Sequence, residues 1–177
     1  METYSLSIGN LTRNLPIVEP FEGLRYPLVE LLGDVELTQA TAEALAWRIP
    51  SNVQWLFTVE TSSIPVVHLL ASHLEIGYVV ARRRRRAYME DPIIQPVSSM
   101  TLGAKEVFWL DQRLAERLYG QQVAIVLDVV ATGATMDAMA RMVRRAGGAE
   151  AGRFAVFQQG APVPGVTAAF DLPVFKP

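Results

Sequence analysis

The chain has 177 residues, half of them apolar, enough to bury a core without disulfide or metal staples. Cysteine is absent, which excludes disulfides, thiolate metal sites and a cysteine nucleophile and agrees with a reducing compartment. A formal net charge of −2 predicts no general attraction to nucleic acid, so any polyanion site must be local.

The start, Met1-Glu-Thr-Tyr4, lacks the basic flank and apolar core of a signal peptide. No apolar run approaches the roughly 20 residues that cross a bilayer, and the expectation is a cytoplasmic protein without membrane contact. Over residues 1–36, Pro16, Pro20 and Pro27 break short apolar segments such as Leu15–Val18 and Leu28–Leu32, as in a small appended cap. Residues 37–177 then read as one α/β core, making a single domain of 1–177. A helix is expected over 38–49, with Thr38 as cap, Ala42, Leu45, Ala46 and Ile49 on its apolar face, and Pro50 as terminator. Residues 53–59, Val-Gln-Trp-Leu-Phe-Thr-Val, form a central strand. Ser63 and Pro65 suit the cap and first turn of a helix carrying Val66, Leu69, Leu70 and Leu74. Tyr78–Val80 makes another short strand. His68 and His73 point in different directions on that helix, which spoils metal-ligand spacing, and Trp47, Trp55 and Trp109 sit in apolar patterns that predict core.

Arg82–Arg86 is a run of five arginines, read by itself as a solvated face or a nucleic-acid patch. Residues 87–107, with Asp91-Pro92, Gln95-Pro96, Ser98-Ser99 and Gly103, are too long for a minimal connection, and long loops beside a site are commonly lids. Val107–Leu110 returns as a strand. Residues 123–127 are continuously apolar and β-branched, the pattern of a strand buried on both faces of a parallel sheet. Asp128 follows, then the small-residue loop Ala131-Thr-Gly-Ala-Thr135, then a helix with Met136, Met139, Ala140, Val143 and Ala146 at helical spacing and Gly147-Gly148 as its stop. Free N–H groups, two hydroxyls and a helix N-terminus make that loop an anion site, worth about 0.3–1 kcal/mol from the dipole alone. Asp128 suits neutral hydroxyls of the same ligand, because hydrogen bonds to charged groups contribute about 1.5–3 kcal/mol. Asp137 reads as a dipole complement, or as a group facing magnesium through water. Gly160–Gly165 is a turn-rich connection to a last short strand near Val174-Phe175.

Alternating strands and helices argue for a central parallel sheet flanked by helices, with right-handed crossovers. Ligands in such sheets bind beyond the carboxyl ends of the strands, so Glu60–Ser63 and Asp128–Thr135 are both candidate edges.

The stretch 123–135 resembles the phosphoribosyl pyrophosphate (PRPP) signature of the type I phosphoribosyltransferases, closest to the adenine and purine enzymes. Asp128 matches the second acid of that signature, and Ala131, Thr132, Gly133, Ala134 and Thr135 match its phosphate loop. Leu127 stands where the first acid belongs. Since the paired acids grip the ribose hydroxyls, this departure predicts ribose binding weaker by about one to two orders of magnitude.

The resemblance implies the rest of a site. Thr61, Ser62 and Ser63 fall at the pyrophosphate loop, without the Arg-Gly pair of adenine-specific members, and Arg82, Arg83 and Arg86 match the basic residues that meet pyrophosphate. Arginine's planar fork suits such bidentate phosphate contacts. Arg84 and Arg85 match nothing. Residues 97–110 resemble the hairpin that closes over PRPP, with Lys105 and Glu106 near its tip, and Glu106 is either the group that manages the purine's proton or a surface glutamate. Residues 1–36 resemble the hood over the base, with Leu15–Val18 as its wall or as edge strands without ligand contact. The implied activity is transfer of the phosphoribosyl group of PRPP to a nitrogenous base with release of pyrophosphate, with Mg2+ held by the pyrophosphate rather than by protein ligands. Adenine is the expected base, because Ala131 replaces the aspartate usual in hypoxanthine and guanine enzymes, and a homodimer is the family habit. The alternative is a PRPP-sensing regulator that keeps the loop and has lost catalytic groups, which Leu127 would favour; a plain nucleic-acid module would show no PRPP affinity.

Overall fold

The computed structural model describes residues 2–97 and 106–175. The expected loop residues Ser98, Ser99, Gly103 and Lys105 lie outside the described residues.

The N-terminal segment folds as an antiparallel sheet of β1 (Thr3–Ile8), β2 (Leu11–Phe21) and β3 (Leu24–Pro27), in that order. Strand β2 is central and carries two prolines, a placement that ordinarily costs ladder hydrogen bonds. The pairing avoids that cost: β1 covers Leu11–Pro16, β3 covers Ile17–Phe21, and Pro20 falls in the register break between Val18 and Phe21. The sheet is fastened to the core at its two ends. Arg13 on β2 pairs with Asp34 at 2.6 Å and Glu36 at 2.8 Å, and the N–H of Phe175 donates to the carbonyl of Arg25 at 2.8 Å.

Helix α1 (Val35–Ala46) starts earlier than expected. Its cap is Asp34, whose carboxylate accepts from the N–H of Leu37 at 3.0 Å; Thr38 lies inside the helix, with its hydroxyl on the carbonyls of Leu31 and Asp34. The acid wins the cap because it also carries the Arg13 pair, and together these hold its carboxyl below the ordinary aspartate value. Trp47 is 88% exposed at the end of α1, contrary to the expected core position, because the helix stops before its side chain can turn inward.

The core continues through β4 (Trp55–Val59), α2 (Ile64–Leu74), β5 (Gly77–Ala81), the antiparallel pair β6 (Ile93–Val97) and β7 (Glu106–Leu110), and the short α3 (Gln112–Ala115). It closes with β8 (Gln122–Val130), α4 (Ala134–Arg145), β9 (Ala149–Gln159) and β10 (Val166–Leu172). Five strands form one parallel sheet in the order β10-β9-β8-β4-β5, the expected α/β architecture. Strand β10 takes the place expected for Val174-Phe175, where only a single bridge forms, between Phe175 and Arg25.

Period two along β8 divides its residues between two cores. Val123, Ile125 and Leu127 face α4 and the β6–β7 pair, whereas Ala124 and Val126 face α1, α2 and the N-terminal sheet. The chain leaves β4 toward one edge of the sheet and β8 toward the other, so the strand order switches between them. The carboxyl ends of β4 and β8 meet at that switch, the position where open α/β sheets bind ligands. Among the described residues, no helix is long and apolar enough to cross a membrane.

Candidate functional site

Asp128 sits on β8 in the register of Ala124 and Val126, which turns its side chain toward the start of α2. There the Ser63 hydroxyl donates to Asp128 Oδ1 at 2.8 Å and accepts from the Asp128 N–H at 3.1 Å. This explains why Ser63, at the N-cap of α2, makes no side-chain cap bond to its own helix. The two candidate strand ends are thus joined by one hydroxyl, which orients the carboxylate and leaves Oδ2 for a ligand.

Leu127 turns the other way and is 4% exposed, packed in the core with Val97 and Phe108. Burying such a side chain contributes about 1.5–3 kcal/mol, while an unpaired carboxylate there would cost more than that in desolvation. The leucine strengthens the sheet and supplies no second acceptor.

The loop Ala131–Thr135 opens on a cavity of about 370 Å³. Gly133 has φ +81° and caps α4 without a side chain, and a Cβ added there would lie 2.7 Å from Val163 Cγ1. Glycine is required on both counts: the left-handed backbone disfavours other residues, and the space is already filled. Gly133 offers no capping side chain and the Thr132 hydroxyl accepts from the Ala134 N–H at 3.4 Å, which leaves the other first-turn N–H groups of α4 as a cradle for an anion.

The far wall of this cavity is Phe21, Leu24 and Tyr26 of the N-terminal sheet, with Val174, Gln159, Val97 and Glu106. The expected wall, Leu15–Val18, is displaced: Leu15 is buried in the core against α1, because the β2–β3 turn rather than mid-β2 reaches over the sheet edge. The sequence pattern favours Leu15–Val18, which is apolar throughout, over the wall segment, where Glu22, Gly23 and Arg25 interleave with Phe21, Leu24 and Tyr26.

A second cavity of about 70 Å³ adjoins the first through Leu127, Val129 and Thr135, and its remaining walls include Glu60, Ser62, Ser63, Arg83 and Asp128. Thr61 lies outside this lining and is exposed; the Glu60–Thr61 peptide is cis. Glu60, only 8% exposed, organises the arginines. Its carboxylate accepts from Arg82 Nη1 at 2.9 Å and the Arg83 N–H at 2.7 Å, with Arg86 Nη2 at 3.6 Å. Its carbonyl accepts from Arg83 Nε at 2.7 Å. Burial pushes the Glu60 carboxyl up, but the Arg83 N–H and the Arg82 and Arg86 guanidinium groups outweigh it and hold the carboxyl below its ordinary value.

Arg83 also lies 5.6 Å from the Phe108 ring centroid and forms an ion pair with Glu106. Glu106 opens β7 opposite Val97, the pair of the β6–β7 ladder next to residues 98–105, so it stands toward the tip of the hairpin, as expected, and away from Trp109, where the hairpin meets the sheet edge. Arg82 holds that hairpin in place through paired backbone hydrogen bonds with Trp109, both 2.8 Å. Arg84 and Arg85 are exposed and make no ion pair among the described residues. Asp137 pairs with Arg153 at 2.6 Å, which points it away from a magnesium role.

No cluster of three or more His, Cys, Asp or Glu able to hold a metal occurs among the described residues. With Glu60 neutralised by arginines and Leu127 apolar, the donor set suits a cation that arrives on the ligand's own phosphates, not one caged by protein.

Sequence reasoning had brought Asp128, the loop and the arginines to one edge. It placed Glu60 at a candidate edge without a role, because a buried pairing has no local signature, and it missed the apolar wall with Gln159, whose only hint was its place at the end of an unassigned strand.

Residues 32–164 match the phosphoribosyl transferase domain family. A hypoxanthine/guanine phosphoribosyltransferase of Methanococcus vannielii is 30% identical over 144 residues, 81% of this chain and 66% of that protein. Its Methanococcus voltae counterpart is 30% identical over 112 residues, 63% of this chain and 56% of that protein, so the chain spans less than two thirds of these archaeal relatives. An adenine phosphoribosyltransferase of Mycobacterium tuberculosis is 29% identical over 168 residues, 94% of this chain and 76% of that protein. Among solved structures, adenine phosphoribosyltransferase of Thermoanaerobacter pseudethanolicus superposes with a TM-score of 0.74 at 19% identity, covering 89% of this chain and 95% of that one. The Rhodothermus marinus enzyme gives 0.69 at 21% identity, covering 96% and 94%. At these identities the superpositions establish a shared fold.

Proposed function

The chain belongs to the phosphoribosyl transferase domain family, and from that premise we propose that it transfers the phosphoribosyl group of PRPP to a purine base, adenine first, releasing pyrophosphate. The observation that carries this reading is the adjacency of the two cavities, which share Leu127, Val129 and Thr135: a glycine-capped helix N-terminus, a single oriented carboxylate and an arginine cluster lie along one sheet edge.

The 5′-phosphate rests on the N–H groups and hydroxyls of Thr132–Thr135, with Ala131 and Ala134 completing the loop. Asp128 accepts the ribose hydroxyls through the oxygen that Ser63 does not hold. Ser62 and Ser63 flank the pyrophosphate, with Thr61 at the exposed rim and Arg82, Arg83 and Arg86 opposite. Magnesium, carried in by the pyrophosphate, would neutralise charge on that leaving group. The base lies in the larger cavity beneath the N-terminal sheet, residues 1–36 acting as a hood.

The reaction forms a bond from a ring nitrogen of the base to the anomeric carbon as the carbon–oxygen bond to pyrophosphate breaks. Positive charge develops on the ribose, so positioning and charge stabilisation supply most of the acceleration. Glu106 takes the proton that the ring nitrogen sheds. Arg83, held by Glu60, joins the pyrophosphate side to Glu106, and the apolar walls keep water from the activated ribose.

Pyrophosphate release measured with PRPP, magnesium and a panel of purines and pyrimidines tests the reading. Release stimulated by a purine supports it, and release no faster with any base than without one would sink the enzyme claim. PRPP binding without turnover would return the chain to the regulator alternative.

A further inference from the structure

Two glutamines end β9 side by side, and the two-residue period of a strand turns them to opposite faces. Gln158 is 3% exposed and fully engaged. Its Nε2 donates to the carbonyls of Ala161 at 2.8 Å and of Val130 and Gln159 at 3.3 Å, while its Oε1 accepts from the Val163 N–H at 3.1 Å. Val163 in turn packs where a Cβ of Gly133 would lie, so Gln158 braces the loop that the phosphate uses. Gln159 differs in every respect. It is half-buried, lines the 370 Å³ cavity, and its carboxamide makes no hydrogen bond among the described residues.

We propose that Gln159 is the specificity-determining residue for the base, its carboxamide reading the edge of a 6-aminopurine against the wall of Phe21, Tyr26 and Val174. The inference rests on the phosphoribosyltransferase reading of the same site. The chemistry follows from the lining. Glu106 is paired with Arg83, and Thr132 and Thr135 stand at the phosphate end. Among the lining side chains, only Gln159 offers a donor and an acceptor on one planar edge. That edge complements the exocyclic amino group beside N7 of adenine, whereas a 6-oxopurine presents two acceptors on that side and leaves the carboxamide oxygen without a donor. A base lacking the complement leaves the amide unsatisfied in an apolar cavity, and sites of this kind discriminate strongly.

The test needs no turnover. Binding of AMP, IMP and ribose 5-phosphate is measured by calorimetry on the intact chain and on Q159L, Q159E and Q158L, with melting curves to confirm folding. The wild type should bind AMP more tightly than ribose 5-phosphate. In Q159L, AMP affinity should fall about 10- to 100-fold while ribose 5-phosphate changes less than about twofold. Q159E keeps an acceptor for the amino group and repels a 6-oxo group, so the AMP-to-IMP preference should widen. Q158L should weaken all three ligands together by loosening the phosphate loop. AMP affinity unchanged in folded Q159L, or wild-type AMP affinity no greater than that of ribose 5-phosphate, would overturn the base assignment. Failure of ribose 5-phosphate to bind the wild type would instead overturn the phosphate site, and the proposal with it.

Discussion

The two cavities that adjoin at Leu127, Val129 and Thr135 are built on opposite terms. The small one is charged and already satisfied: Glu60 engages Arg82, Arg83 and Arg86, and Arg83 also engages Glu106. The large one is mostly apolar, with a helix N-terminus whose Ala134 N–H meets only the Thr132 hydroxyl, at 3.4 Å, and a glutamine carboxamide that makes no hydrogen bond among the described residues. An anion entering the small cavity must compete with carboxylates for its arginines, so its net gain is a difference between two charged contacts. A ligand entering the large cavity displaces only water, and its gain is nearly whole. Recognition is therefore expected to be strongest at the phosphate loop and base wall, with pyrophosphate held weakly enough to leave.

The comparison hinges on Asp128, which lines the small cavity between Leu127 and Val129, residues common to both cavities, and whose second oxygen accepts no hydrogen bond among the described residues. Asp128→Asn should lower PRPP affinity about 10- to 100-fold in calorimetry with magnesium. Unchanged binding would show that the ribose lies elsewhere. A smaller effect is expected at Gly133→Ala, which places a Cβ 2.7 Å from Val163 at φ +81°. It should cost about 1–2 kcal/mol of stability and weaken ribose 5-phosphate binding, while pyrophosphate binding in the small cavity is spared.

On the charged side, Glu60→Gln should cost about 1 kcal/mol in urea unfolding at neutral pH, discounted because its arginine partners are about one-third to one-half exposed. The sign with pH follows from its lowered value. Its contribution is full above the unfolded glutamate value of about 4.3 and is lost as pH falls through the lower folded value. Wild type should therefore lose more stability than the variant as acid is added across that window. The smallest effect belongs to Glu106→Gln, which frees Arg83: pyrophosphate should bind about two- to fivefold tighter at low salt, with the gain fading at high salt. Turnover should fall in the same variant, since the proton acceptor is gone. Tighter pyrophosphate without a loss of turnover would leave Glu106 as a brake on Arg83 and nothing more.

The parts of the site legible in advance were those built from one continuous stretch. The run 123–127, the acid at 128 and the loop 131–135 announce themselves because strand, carboxylate and helix N-terminus follow one another along the chain. The arginines were legible by charge and by their place after a strand. Thr38 lost its capping role because Asp34 could combine a cap with the Arg13 pair, a contact between segments distant in sequence. Trp47 was assigned to the core from an apolar pattern that runs past the real end of α1. Strands β9 and β10 went unassigned; β9 mixes Gly152, Arg153, Gln158 and Gln159 into its run, so its alternation is blurred.

By itself the sequence determined the parallel α/β sheet, the small-residue loop 131–135 at a helix start and the position of the acid before it, because buried strands and helix starts are dictated by local pattern and by hydrogen-bonding needs within a few residues. Only the tertiary structure decided that Ser63 holds Asp128, that Glu60 gathers the arginines, and that Phe21, Tyr26 and Gln159 wall the cavity. Those choices depend on which strand ends meet at the switch of the sheet and on which face each side chain turns to. Both are set by packing between segments far apart in the chain.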